Sequence, residues 1–203
     1  MQSELQTRRT HAVSGIISVL LGLIALAGCG PAVMNLTYPP EPYVNEEISE
    51  FLGEALLPQS SRTIDVYVFD ARTDKSSPVY GSAAFVTESD EEVRNWVIAA
   101  LRYELVNAGY AVSIVDEYPA ADSITRLTAD VQMILWESNR KDGARVLLQG
   151  TLEQIDTPVL VNQYEGISKV VGSTAGGVAK SLSHALEDAV RQMIVDMELV
   201  QPL

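Results

Sequence analysis

The run from Leu127 to Val171 constrains the fold more than any other part of the chain. Leu127, Ala129, Val131, Met133 and Leu135 alternate with Thr128, Asp130 and Gln132, so an extended segment here has one apolar face and one polar face. Residues 139–143 supply a turn, with Asp142-Gly143 its tightest signal, and Val146, Leu148 and Leu152 then resume the alternation. Asp156-Thr157-Pro158 turns the chain again, and a third, more weakly alternating segment covers residues 159–171. Three half-polar strands joined by short turns read as an antiparallel meander covered on one face. A parallel, doubly wound sheet would need strands that are apolar almost throughout.

Something must cover that face, and two helical patterns are available. Ser89-Asp90-Glu91-Glu92 has the form of a capping box, in which a serine hydroxyl and a glutamate three residues on satisfy each other's free amides. Val93, Val97, Leu101 and Leu105, with Trp96 and Ala100 beside them, follow at helical spacing, and Gly109 suits the left-handed residue that ends a helix. A second helix is expected over residues 175–200, where Val178, Leu182, Ala185, Ala189, Met193 and Met197 form one stripe. Ile64, Val66 and Val68 mark a first strand, and residues 110–115 a short second one. The expected architecture is α+β: a two-layer sandwich with a mostly antiparallel sheet of about five strands and two helices packed on one face.

The N-terminal region has a different character. Arg8, Arg9 and His11 precede a charge-free run from Ala12 to Gly28, the layout of a secretory signal, and 17 residues is short for a membrane span, which takes about 20. The run ends in Leu26-Ala27-Gly28-Cys29, which holds the only cysteine of the chain. That tetrad resembles the lipobox of bacterial lipoproteins. The resemblance implies cleavage before Cys29 and acylation of its sulfur; Gly30, in place of an aspartate, then favours the outer membrane. One acyl chain binds a bilayer reversibly, at about 0.8 kcal/mol per methylene, so durable anchoring takes two or three. The expected division is a signal peptide over 1–28, a lipidated Pro-rich tether over 29–62, and a single α+β domain over 63–203. Within the tether, residues 45–57 carry a short amphipathic pattern that either caps the domain or docks a partner.

Charge narrows the partners. Arg8, Arg9 and Glu4 leave with residues 1–28, so 12 basic side chains face 26 acidic ones, a net of −14. Such a surface repels phosphate backbones and excludes nucleic acid as a partner. On the net charge alone, anionic headgroups are repelled too, and membrane association requires the acyl chains.

Few residues suggest catalysis. Gly172 and Gly177 have the first spacing of a phosphate loop, but Val178 and Ala179 separate Gly177 from Lys180, so the lysine cannot converge with the backbone amides, and no nucleotide is expected. His184 is the only histidine after residue 28, too few for a zinc site, and it groups on the helical wheel with Glu187, Asp188 and Arg191 on a solvated side. No Gly-x-Ser-x-Gly elbow occurs, and carboxylate pairs such as Asp116 with Glu117 are expected by chance in so acidic a chain. No cofactor and no metal are expected. The loop Asp70-Ala71-Arg72-Thr73-Asp74 stands out because Arg72 lies between two aspartates: it either orders the loop or presents a binding feature.

Taken together, the first strand running into Asp70-Ala71-Arg72-Thr73-Asp74, the helix closing on Ala108-Gly109-Tyr110, the meander and the last amphipathic helix resemble the YajG family of outer-membrane lipoproteins. More distantly they resemble the auxiliary lipoproteins of envelope lipid-transport systems. The resemblance implies a non-enzymatic envelope protein facing the periplasm, acting as a binding or adaptor module for a protein or lipid partner. A periplasmic hydrolase with an unrecognised site is the alternative. A third reading, a cytoplasmic domain on an uncleaved N-terminal helix, predicts that residues 1–28 are retained.

Overall fold

The computed structural model describes residues 32–38, 62–73, 85–86, 91–117, 124–137 and 139–200. Cys29, the 45–57 pattern, Asp74 and Ser89 lie outside them. The chain divides into two compact units, 1–32 and 33–203, and the second is the domain treated below.

In chain order the elements are β1 (Ala32–Val33), β2 (Thr63–Asp70), β3 (Phe85–Val86), α1 (Glu91–Asn107), β4 (Ala111–Ile114), β5 (Thr125–Trp136), β6 (Ala144–Gln154), β7 (Thr157–Ser168) and α2 (Ala175–Val200). β1 and β3 form a small separate sheet, and the main sheet has the order β4-β2-β5-β6-β7. The meander β5-β6-β7 is antiparallel, with eleven residue pairs in each ladder, while β2 lies parallel to both β4 and β5 through four and six pairs. The sheet is therefore mostly antiparallel, as the alternation predicts. β2, β4, β5 and β7 all run the same way, so their C-terminal ends share one rim.

One face of this sheet is the core. Val66, Leu127 and Leu152 stand side by side across three strands, and Val68, Ala129 and Gly150 form the next row; the side chains in both rows are buried. Full burial of each large aliphatic side chain contributes about 1.5–3 kcal/mol. One detail departs from the sequence pattern. A bulge between Val131 and Met133 shifts the phase of β5, so Ile134 is buried while Met133 and Leu135, expected on the apolar face, are only half-buried.

Both helices pack on that face. The α1 stripe of Val93, Val97, Leu101 and Leu105 is buried, as are Trp96 and Ala100. The helix ends as Gly109 predicts: Gly109 takes φ +89°, the Tyr110 amide donates to the Leu105 carbonyl, and the Gly109 amide to that of Val106. That pair of bonds is the Schellman arrangement. The expected stripe of α2 is also buried throughout. Its backbone reaches β7 closely enough that a Cβ on Gly166 would stand 1.8 Å from the Ala185 carbonyl oxygen.

β7 is an edge strand of twelve residues, a template for unwanted pairing. Polar side chains occupy part of that edge. Asp188 accepts from the Ile167 amide, Gln192 donates to the Glu165 carbonyl, and the Asn162 side chain accepts from the Gln163 amide. The turn into β7 is at Ile155-Asp156, both with positive φ (47° and 60°), one residue earlier than the Asp156-Thr157-Pro158 signal implies.

Candidate functional site

Of the loop residues singled out by sequence, the structure describes two. Asp70 ends β2 on the core side and Arg72 folds back onto it: Nε donates to Oδ1 at 2.8 Å, Nη2 to Oδ2 at 2.7 Å, and the Arg72 amide also reaches Oδ1. Both side chains are about 8% exposed. This buried bidentate pair ties the loop back to the end of β2. Asp74 and Cys29 lie outside the described residues, so neither is placed against this pair.

The larger polar assembly lies where residues 34–38 cross the helices. This stretch falls inside the expected tether, yet Met34 and Leu36 are buried in the core. The Leu36 amide donates to Glu92 at 2.9 Å, at the start of α1. The Thr37 carbonyl accepts from the Ser183 hydroxyl on α2, and that hydroxyl in turn accepts from the Trp96 indole at 3.1 Å. The Tyr38 hydroxyl donates to Glu104 at 2.6 Å, and its ring meets Tyr103 edge-on at 5.8 Å. Residues 34–38 thus form a strap across both helices. A cavity of about 430 Å³ lies beside it, walled by Asn35, Thr37, Tyr38, Asn95, Trp96 and Ala99 among others.

Glu104 is the centre of a chain of charges. Arg191 donates to it at 3.1 Å and pairs with Glu187 at 2.7 Å, and His184 lies 3.3 Å from Glu187. Burial first, and then the bond to the Glu104 carboxylate, push the Tyr38 hydroxyl well above its ordinary pKa, so it remains a donor at every physiological pH. His184, grouped by the helical wheel with Glu187 and Arg191, is indeed their neighbour. The adjacent Ser183 is engaged by Trp96 and Thr37, so it is not a nucleophile held by this histidine.

A second cluster joins β2, α1 and α2 at the opposite rim. Glu198 accepts from the Tyr110 hydroxyl at 2.6 Å and from Arg62 at 2.8 Å, and Arg62 lies over the Tyr110 ring at 5.5 Å. Burial raises the Glu198 pKa, but the tyrosine bond and the guanidinium together outweigh it and hold the carboxyl below its ordinary value. A groove of about 400 Å³ runs between β7 and α2 past Asn162, Tyr164, Gln192 and Asp196. The buried Tyr164 hydroxyl faces the Asn162–Asp196 pair without a well-aligned hydrogen bond, and burial followed by the Asp196 carboxylate pushes it up to about 12.

The glycine-rich approach to α2 is held by side-chain hydrogen bonds. Thr174 caps the helix, its hydroxyl accepting from the Gly177 amide, while Ser181 accepts from the Val171 amide and donates to the Gly177 carbonyl. Among the described residues, no group of three His, Cys, Asp or Glu side chains is placed to hold a metal ion. None of their helices is long and apolar enough to cross a membrane.

Sequence reasoning missed Glu104 and Arg126. Glu104 sits between Leu101 and Leu105 on the buried face of α1, and a carboxylate inside an apolar stripe is itself a signal of a partner. Arg126 lies on the face of the sheet opposite the helices, 3% exposed, with Glu153 at 3.0 Å and Asp156 at 3.6 Å.

No protein-family model matches the chain, and no curated protein matches it in sequence. Solved structures do. Protein XCC0632 from Xanthomonas campestris, of the family model DUF330, overlays with a TM-score of 0.54 at 13% identity, covering 85% of this chain and 94% of that one. The hypothetical protein CT253 from Chlamydia trachomatis gives 0.47 at 8% identity, over 68% and 96%. Lipoprotein GNA1162 from Neisseria meningitidis gives 0.37 at 14% identity, over 66% and 99%. At 13% identity the first overlay shows the fold alone: this chain shares the α+β fold of the Xanthomonas protein.

Proposed function

We propose that the chain is a lipid-anchored lipoprotein of the bacterial envelope, held at the outer membrane through Cys29, whose domain faces the periplasm and binds another envelope component without catalysing a reaction. The observation that carries this reading is Leu26-Ala27-Gly28-Cys29 directly after a charge-free run. The polar clusters support the non-enzymatic part, because their members are bonded to one another in ways that stabilise the fold. The YajG-like layout remains the finer form of this reading and rests on the sequence pattern.

Intact-mass measurement on the cellular protein tests the anchor. The expected product begins at Cys29 and carries the added mass of acyl chains, and Cys29→Ser releases the protein from membranes. A bare cysteine, or retention of residues 1–28, would contradict the reading. Photo-crosslinkers at Thr73 and within residues 45–57 test the adaptor role: recovery of a distinct envelope partner supports it. Recovery of the protein alone, together with a phenotype lost in His184→Ala at normal protein levels, would favour a hydrolase.

A further inference from the structure

The net charge of the chain conceals an uneven distribution. The three lysines among the described residues, Lys141, Lys169 and Lys180, share one rim of the sheet. Lys141 lies in the β5–β6 turn, Lys169 just beyond β7 and Lys180 in the second turn of α2, and the Val170 amide donates to the Lys141 carbonyl, which ties two of these segments together. Arg140 is beside them, paired with Glu137 at 3.2 Å, and Asp142 is the other acid in the turn. Lys141 and Lys169 are exposed and enter no ion pair among the described residues; Val171, 57% exposed, lies between Lys169 and the helix. Glu137 and Asp142 are the acids beside these lysines, while Glu91, Asp116 and Glu117 lie on the β4–α1 side of the rim. The rim therefore has a basic corner under β5, β6, β7 and α2.

The strap points its N-terminal end toward the same rim. Leu36 is bonded to Glu92 in the first turn of α1 and Tyr38 to Glu104 near its end, so the strap runs along α1 away from its N-terminus. Toward the N-terminus the strap therefore heads for the N-terminal end of α1, where the C-terminal ends of β2, β4, β5 and β7 also lie. Cys29 precedes Met34 by five residues, which span at most roughly 18 Å.

We infer that the rim bearing Lys141, Lys169 and Lys180 rests against the anionic headgroups of the bilayer that holds the acyl chains, leaving the opposite rim, with the Ile155-Asp156 turn, farthest from the membrane. The inference rests on the lipid-anchored reading of Cys29. Basic side chains within a Debye length of an anionic surface, about 8–10 Å, are attracted to it. A tether of at most roughly 18 Å keeps the domain near the bilayer, and charge then draws the basic corner within reach of the headgroups.

Introduced thiols report this orientation, because acylation leaves no other cysteine free. The acylated full-length mature protein, carrying Ser173→Cys on the basic rim or Ile155→Cys on the opposite one, is labelled with a fluorophore. It is then reconstituted into vesicles of phosphatidylcholine alone or mixed with phosphatidylglycerol, each with a headgroup-attached quencher. The expected result is stronger quenching at position 173 than at 155, increased by phosphatidylglycerol. Lys141→Glu with Lys169→Glu, or raised salt, returns it to the neutral-vesicle level. Equal quenching at both positions, or none of the dependence on anionic lipid, would overturn the orientation while leaving the anchor intact. Intact mass of the same sample reads the anchor separately, and a bare Cys29 would remove both.

Discussion

The contact between β7 and α2 and the contact between the strap and the two helices both lay an extended segment against a helix, and they are held by opposite means. At the first, Gly166 lets α2 approach until no side chain fits between them, and Met193, Ala185 and Ala189 close the core. At the second, three hydrogen bonds and two buried side chains hold five residues on a surface that includes a charged network. Close packing fixes whether the domain folds; the polar contact fixes where the N-terminal chain travels. If this division is right, damage to the first is global and damage to the second is local.

The largest expected effect is therefore Gly166→Ala. A methyl group 1.8 Å from a backbone oxygen forces α2 away from β7, and the loss exceeds about 3 kcal/mol in urea unfolding, or the protein fails to accumulate folded. Arg72→Met asks whether charge can matter as much as packing when it is equally buried. It leaves Asp70 ionised inside the domain and costs about 3 kcal/mol; a change near zero would show that the pair is a surface feature.

Glu104→Gln separates the two regions most cleanly. It keeps the shape and weakens the bonds to Tyr38 and Arg191, costing about 1–2 kcal/mol, with faster amide exchange in residues 34–38 and none in β6 or β7. The smallest effect concerns pH. The folded Glu198 carboxyl lies below its ordinary value, so its stabilisation is fully present at neutral pH and is lost as pH falls through the acid range below that value. Glu198→Gln flattens this part of the stability profile, and an unchanged acid limb would exclude the Tyr110–Arg62–Glu198 cluster as its source.

The same comparison explains what the sequence could tell. The meander and both helices were legible because their apolar residues recur at periods of two and 3.6 over many positions, and burial on one face follows from the period. The phase shift after Val131 was not, since a bulge adds a residue without altering composition. The strap carried a signal only three positions long, Met34, Leu36 and Tyr38, enclosed by Pro31, Pro39 and Pro40, which read as extended tether. At the loop after β2, Arg72 meets Asp70, while Asp74, the other aspartate of the pattern, lies outside the described residues. Glu104 was visible as a carboxylate in an apolar stripe, but its partners Tyr38 and Arg191 are 66 and 87 residues away and no local rule connects them. The gathering of lysines on one rim likewise depends on strand direction, which net charge does not reveal.

The central claim is that the chain a few residues beyond Cys29 is fixed to the domain and is not a free leash. Hydrogen exchange at the Leu36 amide in the protein as isolated from cells tests it directly. Bonded to Glu92 and above a buried side chain, that amide should exchange far more slowly than the same amide in an open chain. Exchange at the rate of an unstructured peptide would contradict the account.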